Sequence, residues 1–422
     1  MTGSIDPNLL DDLVWRGLVA HSTDLGALRE AFTTSSVRFY VGFDPTAPSL
    51  HMGNLLQLVT ARRLQEAGHT PFVLVGGATG MIGDPKESAE RTLNSVDTVK
   101  DWTERVRAQV TPFVSFEGSN AASIVNNYDW TASLSTIDFL RDIGKHFPVN
   151  RMLQRDVVSR RLESGISYTE FSYVLLQSMD YLNLFRDHGV TLQHGATDQW
   201  GNITAGVDLI RRATGETVHA FVTPLITKPD GTKYGKTEGG ALWLSAEMMS
   251  PYAFHQFWLN VDDAQVGSML RSFSELSHEQ IEVLEAETRE KPWLRSGQKQ
   301  LADELTTLVH GAAETAHAKD AAAALFGGGD LHELSPTTLA AALREAGSAS
   351  VPALTPVVDL LVATGLAKSK GEARRTIAEG GAYLNNVRIE DAEAMPQPTD
   401  LIAGSWLVLR RGKKQFAGVE VG

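Results

Sequence analysis

Apolar and polar residues alternate in blocks along the first 247 residues of the chain. Short apolar runs with strand character lie at residues 37–43, 70–75, 124–127, 190–193 and 218–227. Between them, apolar residues recur with a helical period, as at residues 53–66 and 200–214. Strands that alternate with helices build a parallel sheet covered on both faces. The pattern therefore predicts an α/β, Rossmann-like parallel-sheet domain over residues 1–247.

The second half of the chain has a different pattern. Residues 248–330 are rich in Ala, Leu and Glu with a helical period, which predicts an α-helical domain that ends in a glycine-rich break. Small residues and prolines follow, so residues 331–354 are expected to be a linker. Residues 355–422 predict two short helices and then strands, which together make a small α+β domain.

Composition narrows the class of protein. The chain has 422 residues, 42% hydrophobic and 21% charged, which is typical of a soluble globular protein of two or three domains. It has no cysteine, so disulfides, thiolate catalysis and cysteine-bound metals are excluded. No run reaches the roughly 20 apolar residues of a membrane span, and no secretion signal is visible. We therefore expect a cytoplasmic location.

Charge is distributed unevenly along the chain. The net charge is −13, which argues against indiscriminate nucleic-acid binding. From residue 355 onward, however, nine Lys and Arg face eight Asp and Glu, whereas the preceding residues have 29 against 43. Any RNA contact is therefore expected to be local and to involve the C-terminal domain.

One stretch joins a strand to a helix through a turn that suits an anion. It runs from Tyr40 to Gln57 and reads YVGFDPTAPSLHMGNLLQ. The positive end of a helix and its free backbone N–H groups attract anions. His51 stands at that end, where its imidazole can donate to a phosphate, and Gly53 leaves room for a flat ring to approach.

The glycine-rich segment 76–85, GGATGMIGDP, follows the second strand. Its spacing is not Gly-x-Gly-x-x-Gly, so it gives little support to a dinucleotide-binding dehydrogenase. A glycine-rich turn capped by an aspartate is the structural alternative to a ligand site.

Polar residues share one face of an otherwise apolar helix. Tyr173, Gln177 and Asp180 are at positions i, i+4 and i+7 of EFSYVLLQSMDYL. A solvated face is the ordinary explanation, but an acid, an amide and a phenol without long flexible charges favour a polar pocket. Asp198 and Gln199 precede a further helix, where an aspartate can cap the helix and also bind a ligand.

The segment 228–237, KPDGTKYGKT, carries lysines and a hydroxyl between glycines. A P-loop would need a glycine at position 230, where the chain has Asp230. It would also need a helix directly after the lysine and threonine, whereas an extended Trp-Leu pair follows. Two lysines and a hydroxyl on such a loop can close over a triphosphate, and a solvated basic loop is the alternative.

Two basic clusters mark the C-terminal domain. Exposed basic turns commonly serve solubility, but two clusters in the least acidic domain favour contacts with phosphates of RNA. The clusters comprise Lys368, Lys370, Arg374, Arg375, Arg410, Arg411, Lys413 and Lys414.

These motifs resemble those of a known family. HMGN is similar to the His-Ile-Gly-His signature of class I aminoacyl-tRNA synthetases, with Asn54 in place of the second histidine. The run from Lys233 to Thr237 is similar to their Lys-Met-Ser-Lys-Ser signature. With its surroundings, the chain resembles the bacterial tyrosyl-tRNA synthetases. The resemblance implies that residues 1–247 form a catalytic domain which activates L-tyrosine with ATP and Mg²⁺, and that the product is charged tRNA(Tyr).

The resemblance also implies a role for individual residues. It assigns tyrosine binding to Tyr40, Thr79, Asp84, Tyr173, Gln177, Asp180 and Gln199. It assigns ATP binding to Gly42, Asp44, His51, Gly53, Asn54, Asp198 and Lys236. It assigns catalysis, by stabilisation of charge on the phosphates, to Thr46, His51, Lys233, Lys236, Thr237, Lys86 and Arg91. The basic clusters of the C-terminal domain become tRNA contacts, and no protein-bound metal is expected.

Two alternatives remain open at this point. A tryptophanyl-type synthetase shares the architecture, although Tyr40 and Asp180 suit a phenol better than an indole. The other is a synthetase-derived RNA-binding protein without catalysis, against which the retained lysines of the second signature argue. The family is homodimeric, and the helical stretch 130–163 is the expected interface.

Overall fold

The computed structural model describes residues 5–85, 93–227, 241–326, 329–412 and 415–422. The chain forms two compact units. The first comprises Met1–Ser245 and Ala264–Ala286, and the second comprises Ala246–Asp263 and Glu287–Gly422.

The first unit is built on a six-stranded sheet with the order β1-β6-β5-β2-β3-β4. All neighbouring pairs are parallel except β1 with β6, which is antiparallel. The strands are β1 His21–Ser22, β2 Arg38–Phe43, β3 Thr70–Val75, β4 Ser123–Asn126, β5 Leu192–Ala196 and β6 His219–Thr223. The expected parallel sheet is therefore confirmed, with a two-residue antiparallel edge strand that the sequence pattern did not indicate.

Helices cover this sheet and make up much of the second unit. The α-helices are α1 Leu9–Trp15, α2 Leu25–Thr34, α3 Met52–Glu66, α4 Thr79–Ile82, α5 Val96–Val110, α6 Tyr128–Thr131, α7 Thr136–Asp138, α8 Val149–Leu153, α9 Asp156–Ser159, α10 Tyr168–His188, α11 Trp200–Thr214, α12 Pro251–Leu259, α13 Asp263–Phe273, α14 His278–Glu290, α15 Ser296–His310, α16 Ala312–Leu325, α17 Pro336–Ala346, α18 Val357–Ala363 and α19 Lys370–Ala378. Short 3₁₀ turns include Thr197–Gln199, which directly precedes α11.

Helix α10 is the longest of the described helices and lies at the centre of the first unit. Its start is capped by Ser167, whose hydroxyl accepts from the backbone N–H of Glu170, and it ends at Gly189 in a left-handed conformation. Its buried face joins one apolar core with side chains of the sheet and of α11. This core holds the polar side chains of α10 in fixed positions beside the sheet.

The path of the chain through the sheet creates a place for a ligand. From β2 the chain continues to β3 and β4 on one side, whereas β5 and β6 lie on the other side of β2. In parallel α/β sheets, ligands bind beyond the carboxyl ends of the strands at such a reversal of order. Tyr40 of β2 is in register with Phe72 on one side and Gln193 on the other, so it lies at this point.

The second unit contains a five-stranded sheet with the order β7-β11-β10-β8-β9. Its strands are β7 Ser348–Val351, β8 Ala382–Leu384, β9 Val387–Arg388, β10 Trp406–Arg411 and β11 Gln415–Val421. Helices α18 and α19 pack on this sheet around one apolar cluster, and α16 and α17 join a second cluster with Trp406 and Val408.

The stretch expected to be a linker is ordered. Within residues 331–354, the chain forms α17 and β7, and β7 pairs in parallel with β11. The physical reason is that residues Ser348–Val351 form a strand only by pairing with a segment about 70 residues away. The small side chains of these four residues do not predict a strand. In the part of the chain that the structure describes, no helix is long and apolar enough to cross a membrane.

Candidate active site

His51 caps the start of α3. Its Nδ1 accepts from the backbone N–H of Gly53 at 3.1 Å, and its own backbone N–H donates to Oδ1 of Asn54 at 3.0 Å. This reciprocal pair is a capping box, in which a histidine and an asparagine serve as capping residues. Asn54 therefore has a structural role of its own, which explains why an amide is accepted at that position.

The cap fixes the protonation state of the His51 ring. Because Nδ1 accepts a hydrogen bond, the proton of the neutral ring is on Nε2. Desolvation by the surrounding protein lowers the pKa of His51, and the nearby carboxylate of Asp198 opposes this shift. His51 is thus a neutral hydrogen-bond donor at pH 7. It lies near Asp198, to which ATP binding was also assigned.

The turn after β2 packs directly on the glycine-rich segment. Asp44 accepts from the hydroxyl of Thr79 at 2.6 Å and from the phenol of Tyr173 at 2.7 Å. A Cβ atom on Gly76 would lie 2.1 Å from Oδ1 of Asp44 and 2.4 Å from Oγ1 of Thr79. Glycine is therefore required at position 76 by close approach, which is a different reason from a dinucleotide fingerprint.

Asp180 lies buried on α10 with both carboxylate oxygens held. Nε1 of Trp130 donates to Oδ1 at 2.8 Å, and Nδ2 of Asn127 donates to Oδ2 at 3.0 Å. Burial raises the pKa of Asp180 to about 7, while these two hydrogen bonds act in the opposite direction. The carboxylate is thus fixed in orientation and is poised between its two protonation states near neutral pH.

Several buried polar atoms near Asp180 lack a partner in the described protein. They include two from residues assigned to tyrosine binding, the hydroxyl of Tyr40 and Oε1 of Gln177. Burial, together with the charge of Asp180, raises the pKa of Tyr40 well above its usual value, so Tyr40 is a neutral phenol. Since buried polar groups are nearly always hydrogen-bonded, these two atoms indicate a polar ligand.

A second carboxylate network lies near the start of α11. Asp84 accepts from Nε2 of Gln199 at 2.8 Å and from Nδ2 of Asn202 at 3.1 Å. Nδ2 of Asn202 also donates to Oε1 of Gln199 at 3.0 Å, and Arg155 donates to Oδ1 of Asn202. Asp84 and Gln199, both assigned to the amino acid, are thus brought into direct contact.

The chain beyond the second signature returns to the first one. Trp243 forms an antiparallel bridge with His51, and the backbone N–H of Met52 donates to the carbonyl of Leu242 at 3.0 Å. The rings of Trp243 and His51 are 6.4 Å apart. The residues of the second signature and of the loop after the glycine-rich segment lie outside the described residues, namely Lys233, Lys236, Thr237, Lys86 and Arg91.

Two other predicted residues are on the surface of the strand–turn–helix stretch. Gly42 is exposed although it lies within β2, and Thr46 is exposed in the turn, where its backbone N–H donates to the carbonyl of Asp44 at 2.8 Å. An exposed glycine within a strand allows a flat group to lie against the backbone.

Comparison with known proteins decides the family. The family described as tRNA synthetases class I (W and Y) matches residues 33–327, and the tyrosine–tRNA ligase SYY-like C-terminal domain matches residues 340–419. The tyrosine–tRNA ligase of Streptomyces coelicolor is 59% identical over 98% of this chain and 99% of its own. That of Mycobacterium tuberculosis is 56% identical over 98% of both chains.

The chain belongs to the tyrosine–tRNA ligase family of class I tRNA synthetases. Among solved structures, a C-terminally truncated mitochondrial tyrosyl-tRNA synthetase of Aspergillus nidulans is similar, with a TM-score of 0.67 and 28% identity over 74% of this chain and 92% of that one. The tryptophanyl-tRNA synthetase of Plasmodium falciparum shares the fold, with a TM-score of 0.53, 14% identity and coverage of 79% and 89% of the two chains. The expected fold class is confirmed: a class I tyrosine–tRNA ligase fold with a helical region and a C-terminal α+β domain.

Within this tyrosine–tRNA ligase fold, the basic residues of the C-terminal domain fall into two groups. Three of them form ion pairs: Lys370 with Asp359, Arg374 with Glu393, and Arg411 with Glu372. Within the described ranges, three others form no ion pair, namely Lys368, Arg375 and Arg410. Lys413 and Lys414 lie outside those ranges.

Sequence reasoning missed several residues of the candidate site. Asn127 and Trp130, which hold Asp180, follow β4, and the only available signal was that Asn127 ends a predicted strand. Arg155 also went unnoticed, although it binds Asn202 and lines a cavity of about 330 Å³ beside α11. No local pattern marks these residues, because their partners are distant in sequence.

Proposed function

We propose that this protein is a tyrosine–tRNA ligase that acts in two steps. A carboxylate oxygen of L-tyrosine attacks the α-phosphorus of ATP, the bond from that phosphorus to the bridging oxygen breaks, and pyrophosphate leaves. A hydroxyl of the terminal adenosine of tRNA(Tyr) then attacks the carbonyl carbon of tyrosyl-adenylate, the bond from that carbon to the phosphate oxygen breaks, and AMP and the hydroxyl proton are released. No protein nucleophile is needed, because the substrates supply both nucleophiles.

The observation that carries this proposal is the buried pair of Tyr40 and Asp180. A phenol hydroxyl between them would donate to the carboxylate of Asp180 and accept from Tyr40, whose own hydroxyl has no described protein partner. Phenylalanine would leave both groups buried and unsatisfied, which is the physical basis of strong discrimination.

The other end of the amino acid is proposed to lie toward Asp84 and Gln177. Oε1 of Gln177 is a buried acceptor that an ammonium group can satisfy, and Asp84 offers a negative charge. Gln199 is held against Asp84, which supports its assignment to the substrate carboxylate. Thr79 and Tyr173 are proposed to border the pocket through their shared partner Asp44.

ATP is proposed to lie over the start of α3. Gly42, Gly53 and Asn54 border the path of the nucleotide, and Asp198 is proposed to bind the ribose. The Nε2 proton of His51 would donate to a phosphate oxygen, a role that its cap-fixed tautomer supports. The exposed Thr46 would add a second donor to the same phosphates.

The lysines of the second signature are proposed to reach these phosphates. Thr237 precedes Trp243 by six residues, which span at most about 21 Å, and Trp243 is bridged to His51. Lys233 and Lys236 belong to the same segment, and Lys86 and Arg91 are proposed to contact the leaving pyrophosphate. Catalysis then consists of positioning reactants and stabilising charge.

Mg²⁺ is proposed to enter with ATP. Among the residues that the structure describes, no group of three or more His, Asp or Glu side chains could hold a metal ion. Magnesium typically keeps several waters and binds through phosphates and one or two carboxylates, so this donor set fits an ion held mainly by the triphosphate. When bound, Mg²⁺ would neutralise charge on the leaving pyrophosphate.

Each part of the chain is proposed to have a separate role. Residues 1–247 would activate tyrosine, residues 248–330 would form the helical domain, and the C-terminal residues 355–422 would bind tRNA. Because the relatives that match over nearly the whole chain are bacterial tyrosine–tRNA ligases, we place the reaction in the cytoplasm.

A homodimer is proposed on the basis of one apolar region. Large apolar side chains between residues 128 and 168 are exposed, including Ile137 at 69% and Tyr168 at 65%. Exposed apolar groups concentrated in one part of the chain are typical of an interface, and this part contains the expected stretch 130–163. A second copy of this chain is the proposed occupant.

Amino-acid-dependent exchange between pyrophosphate and ATP tests the function. Without tRNA, we expect exchange with tyrosine and none with phenylalanine. Exchange with tryptophan would overturn the roles of Tyr40 and Asp180 and favour a tryptophanyl-type enzyme. A folded protein that binds tRNA without any exchange would instead be a non-catalytic RNA-binding protein.

A further inference from the structure

A buried polar cluster lies beneath α3, apart from the tyrosine pocket. Nε2 of Gln57 donates to Oγ1 of Thr223 at 2.7 Å, and Oε1 of Gln57 is 3.4 Å from Nδ1 of His194. Gln57 is 6% exposed, His194 1% and Thr223 0%. Most of the other buried side chains of α3 are apolar, and the buried hydroxyl of Thr60 donates to the carbonyl of Leu56 within the helix itself. Gln57 therefore makes a polar contact between α3 and the strands across a largely hydrophobic layer.

The direction of each hydrogen bond follows from the donors available. The Gln57 amide donates to Thr223, and the hydroxyl of Thr223 is 3.5 Å from the carbonyl of Gly195, to which it can donate. The other half of the amide is an acceptor, so Nδ1 of His194 carries the proton. Burial lowers the pKa of His194 to about 3, which keeps the ring neutral.

The cluster joins three segments of the proposed nucleotide site. Gln57 follows His51 by six residues, or about 9 Å along the helix axis. His194 is in the middle of β5, whose chain continues into the turn with Asp198. Thr223 is the last residue of β6. Gln57 is thus the side chain of α3 that ties the helix bearing His51 to the strands beside Asp198.

We propose that Gln57 is a positioning residue for adenylate formation. Its amide fixes the axial position of α3 against β5 and β6, and thereby the distance between His51 and Asp198 on which ATP alignment depends. A displacement of reacting groups by about 1 Å can cost on the order of a hundredfold in rate. Tyr40 and Asp180, at the tyrosine end, are outside this cluster. The proposal rests on the ligase activity proposed above.

The helix also provides a matched control. Gln65, near the other end of α3, is equally buried, and its amide binds the backbone of Ser115 and Asn120. These contacts hold the end of α3 that is remote from His51. Gln65→Met therefore removes a buried amide of the same kind without touching the proposed coupling.

Steady-state exchange kinetics of Gln57→Met, Thr223→Val and Gln65→Met test the proposal. Gln57→Met and Thr223→Val should each lower kcat/KM for ATP by about tenfold, the effect of one buried hydrogen bond, and change the KM for tyrosine by less than about twofold. The double variant should be no worse than either single one, since both remove the same bond. Thr223→Ser keeps the hydroxyl and should retain the wild-type kcat/KM for ATP. Gln65→Met should lower thermal stability and leave kcat/KM for ATP unchanged.

Two results would overturn the proposal. One is a loss of kcat/KM for ATP in Gln65→Met equal to that in Gln57→Met, and the other is a KM for tyrosine that rises as much as the KM for ATP. If Gln57→Met does not fold, the kinetics of Thr223→Val decide the question, because this variant removes the same hydrogen bond by a change in β6. Absence of exchange in the wild-type protein would instead refute the ligase function itself, so the two failures are distinguishable.

Discussion

Nδ2 of Asn127 donates to Oδ2 of Asp180 at 3.0 Å and is also 2.8 Å from Oγ1 of Thr79. One amide thus connects the end of β4, the centre of α10 and the glycine-rich segment. Trp130, three residues later, holds the other oxygen of Asp180. The orientation of the carboxylate is therefore set by a part of the chain for which the sequence patterns predicted no site residue.

Asn127→Ala should change the pH dependence of tyrosine activation. The hydrogen bond from Asn127 lowers the pKa of Asp180, which is about 7 in its presence, so its loss should raise that pKa further. Less of the ionised form then exists at pH 7. We expect the acidic limb of kcat/KM for tyrosine to move to higher pH, with a drop of about fivefold at pH 7 for each unit by which the pKa rises. Exchange rates between pH 6 and 9 measure this.

Asn126→Ala is the control for that measurement. The neighbouring asparagine uses its Oδ1 to accept from the backbone N–H of Tyr128 and does not contact Asp180. Its variant should keep the wild-type pH profile. Equal profiles for both variants and the wild type would contradict the role of Asn127.

Asp180→Asn should gain stability relative to the wild type as pH rises. In the folded protein the pKa of Asp180 is about 7, above its ordinary value of 3.8, so the folded state retains a proton that the unfolded chain releases. Wild-type stability therefore falls between about pH 4 and pH 7, and the full cost is present above pH 7. Asparagine removes this pH-dependent cost, and the contact between its NH2 group and one of the two donors, Trp130 or Asn127, adds a cost that is the same at every pH. Relative to the wild type, the variant should therefore gain about 2–4 kcal/mol of stability between pH 5 and pH 8.

Urea unfolding at pH 5 and pH 8 measures this difference. Asp142→Asn is the control, because the pKa of Asp142 is shifted in the opposite direction to that of Asp180. A hydrogen bond from Arg141 lowers the pKa of this exposed carboxyl. It should gain nothing at pH 8. A pH-independent effect of Asp180→Asn would show that Asp180 is ionised in neither state or equally in both.

His51→Asn should separate capping from catalysis. Asparagine is a good N-cap, so it can accept from Gly53 and preserve helix stability, whereas it lacks the Nε2 proton. We expect adenylate formation to slow by about a hundredfold with the KM for tyrosine nearly unchanged. His51→Ala should show the same kinetic loss and, in addition, about 1 kcal/mol lower stability. Equal losses in tyrosine affinity and rate would argue against phosphate stabilisation.

The cations of the C-terminal domain should not contribute equally to tRNA charging. Among the described residues, Arg375 and Arg410 form no ion pair, whereas Arg374 pairs with Glu393 at 2.8 Å. Replacing Arg375 and Arg410 with Ala should weaken charging and reduce the salt dependence of tRNA binding by about one unit of slope per lost contact.

Arg374→Ala should have a smaller effect on charging, and all three variants should retain tyrosine-dependent exchange. Loss of exchange together with charging would indicate that the domain is needed for folding. A uniform effect of all three arginines would contradict the distinction drawn from the ion pairs.

Ile137→Asp should dissociate the proposed dimer. Ile137 is 69% exposed in the apolar region between residues 128 and 168, where a carboxylate in an interface would be desolvated. Sedimentation velocity should show a monomer for this variant and a dimer for the wild type. Val387→Asp is the control, since Val387 is 71% exposed but lies in the C-terminal domain. A wild-type monomer would refute the interface.

Local chemistry made much of this protein predictable. Strands β2 and β3, helix α3 and helix α11 follow from runs of apolar residues and from caps within a few residues of each element. Both signatures are contiguous, so their residues could be named from the sequence. The polar face of α10 was visible because helical geometry places Tyr173, Gln177 and Asp180 on one side.

Contacts between distant segments could not be predicted in this way. Tyr173 binds Asp44, 129 positions earlier, and Gln57 binds Thr223, 166 positions later. Strand β7 exists because it pairs with β11, and no property of its own small residues requires it. Hydrophobic periodicity and capping residues depend on interactions between residues that are close in sequence. The contacts above form only when the fold brings distant segments together. The sequence by itself thus determined most of the helices and the parallel strands, the family motifs and the chemistry available. The tertiary structure decided where β1 and β7 form and which side chains satisfy one another.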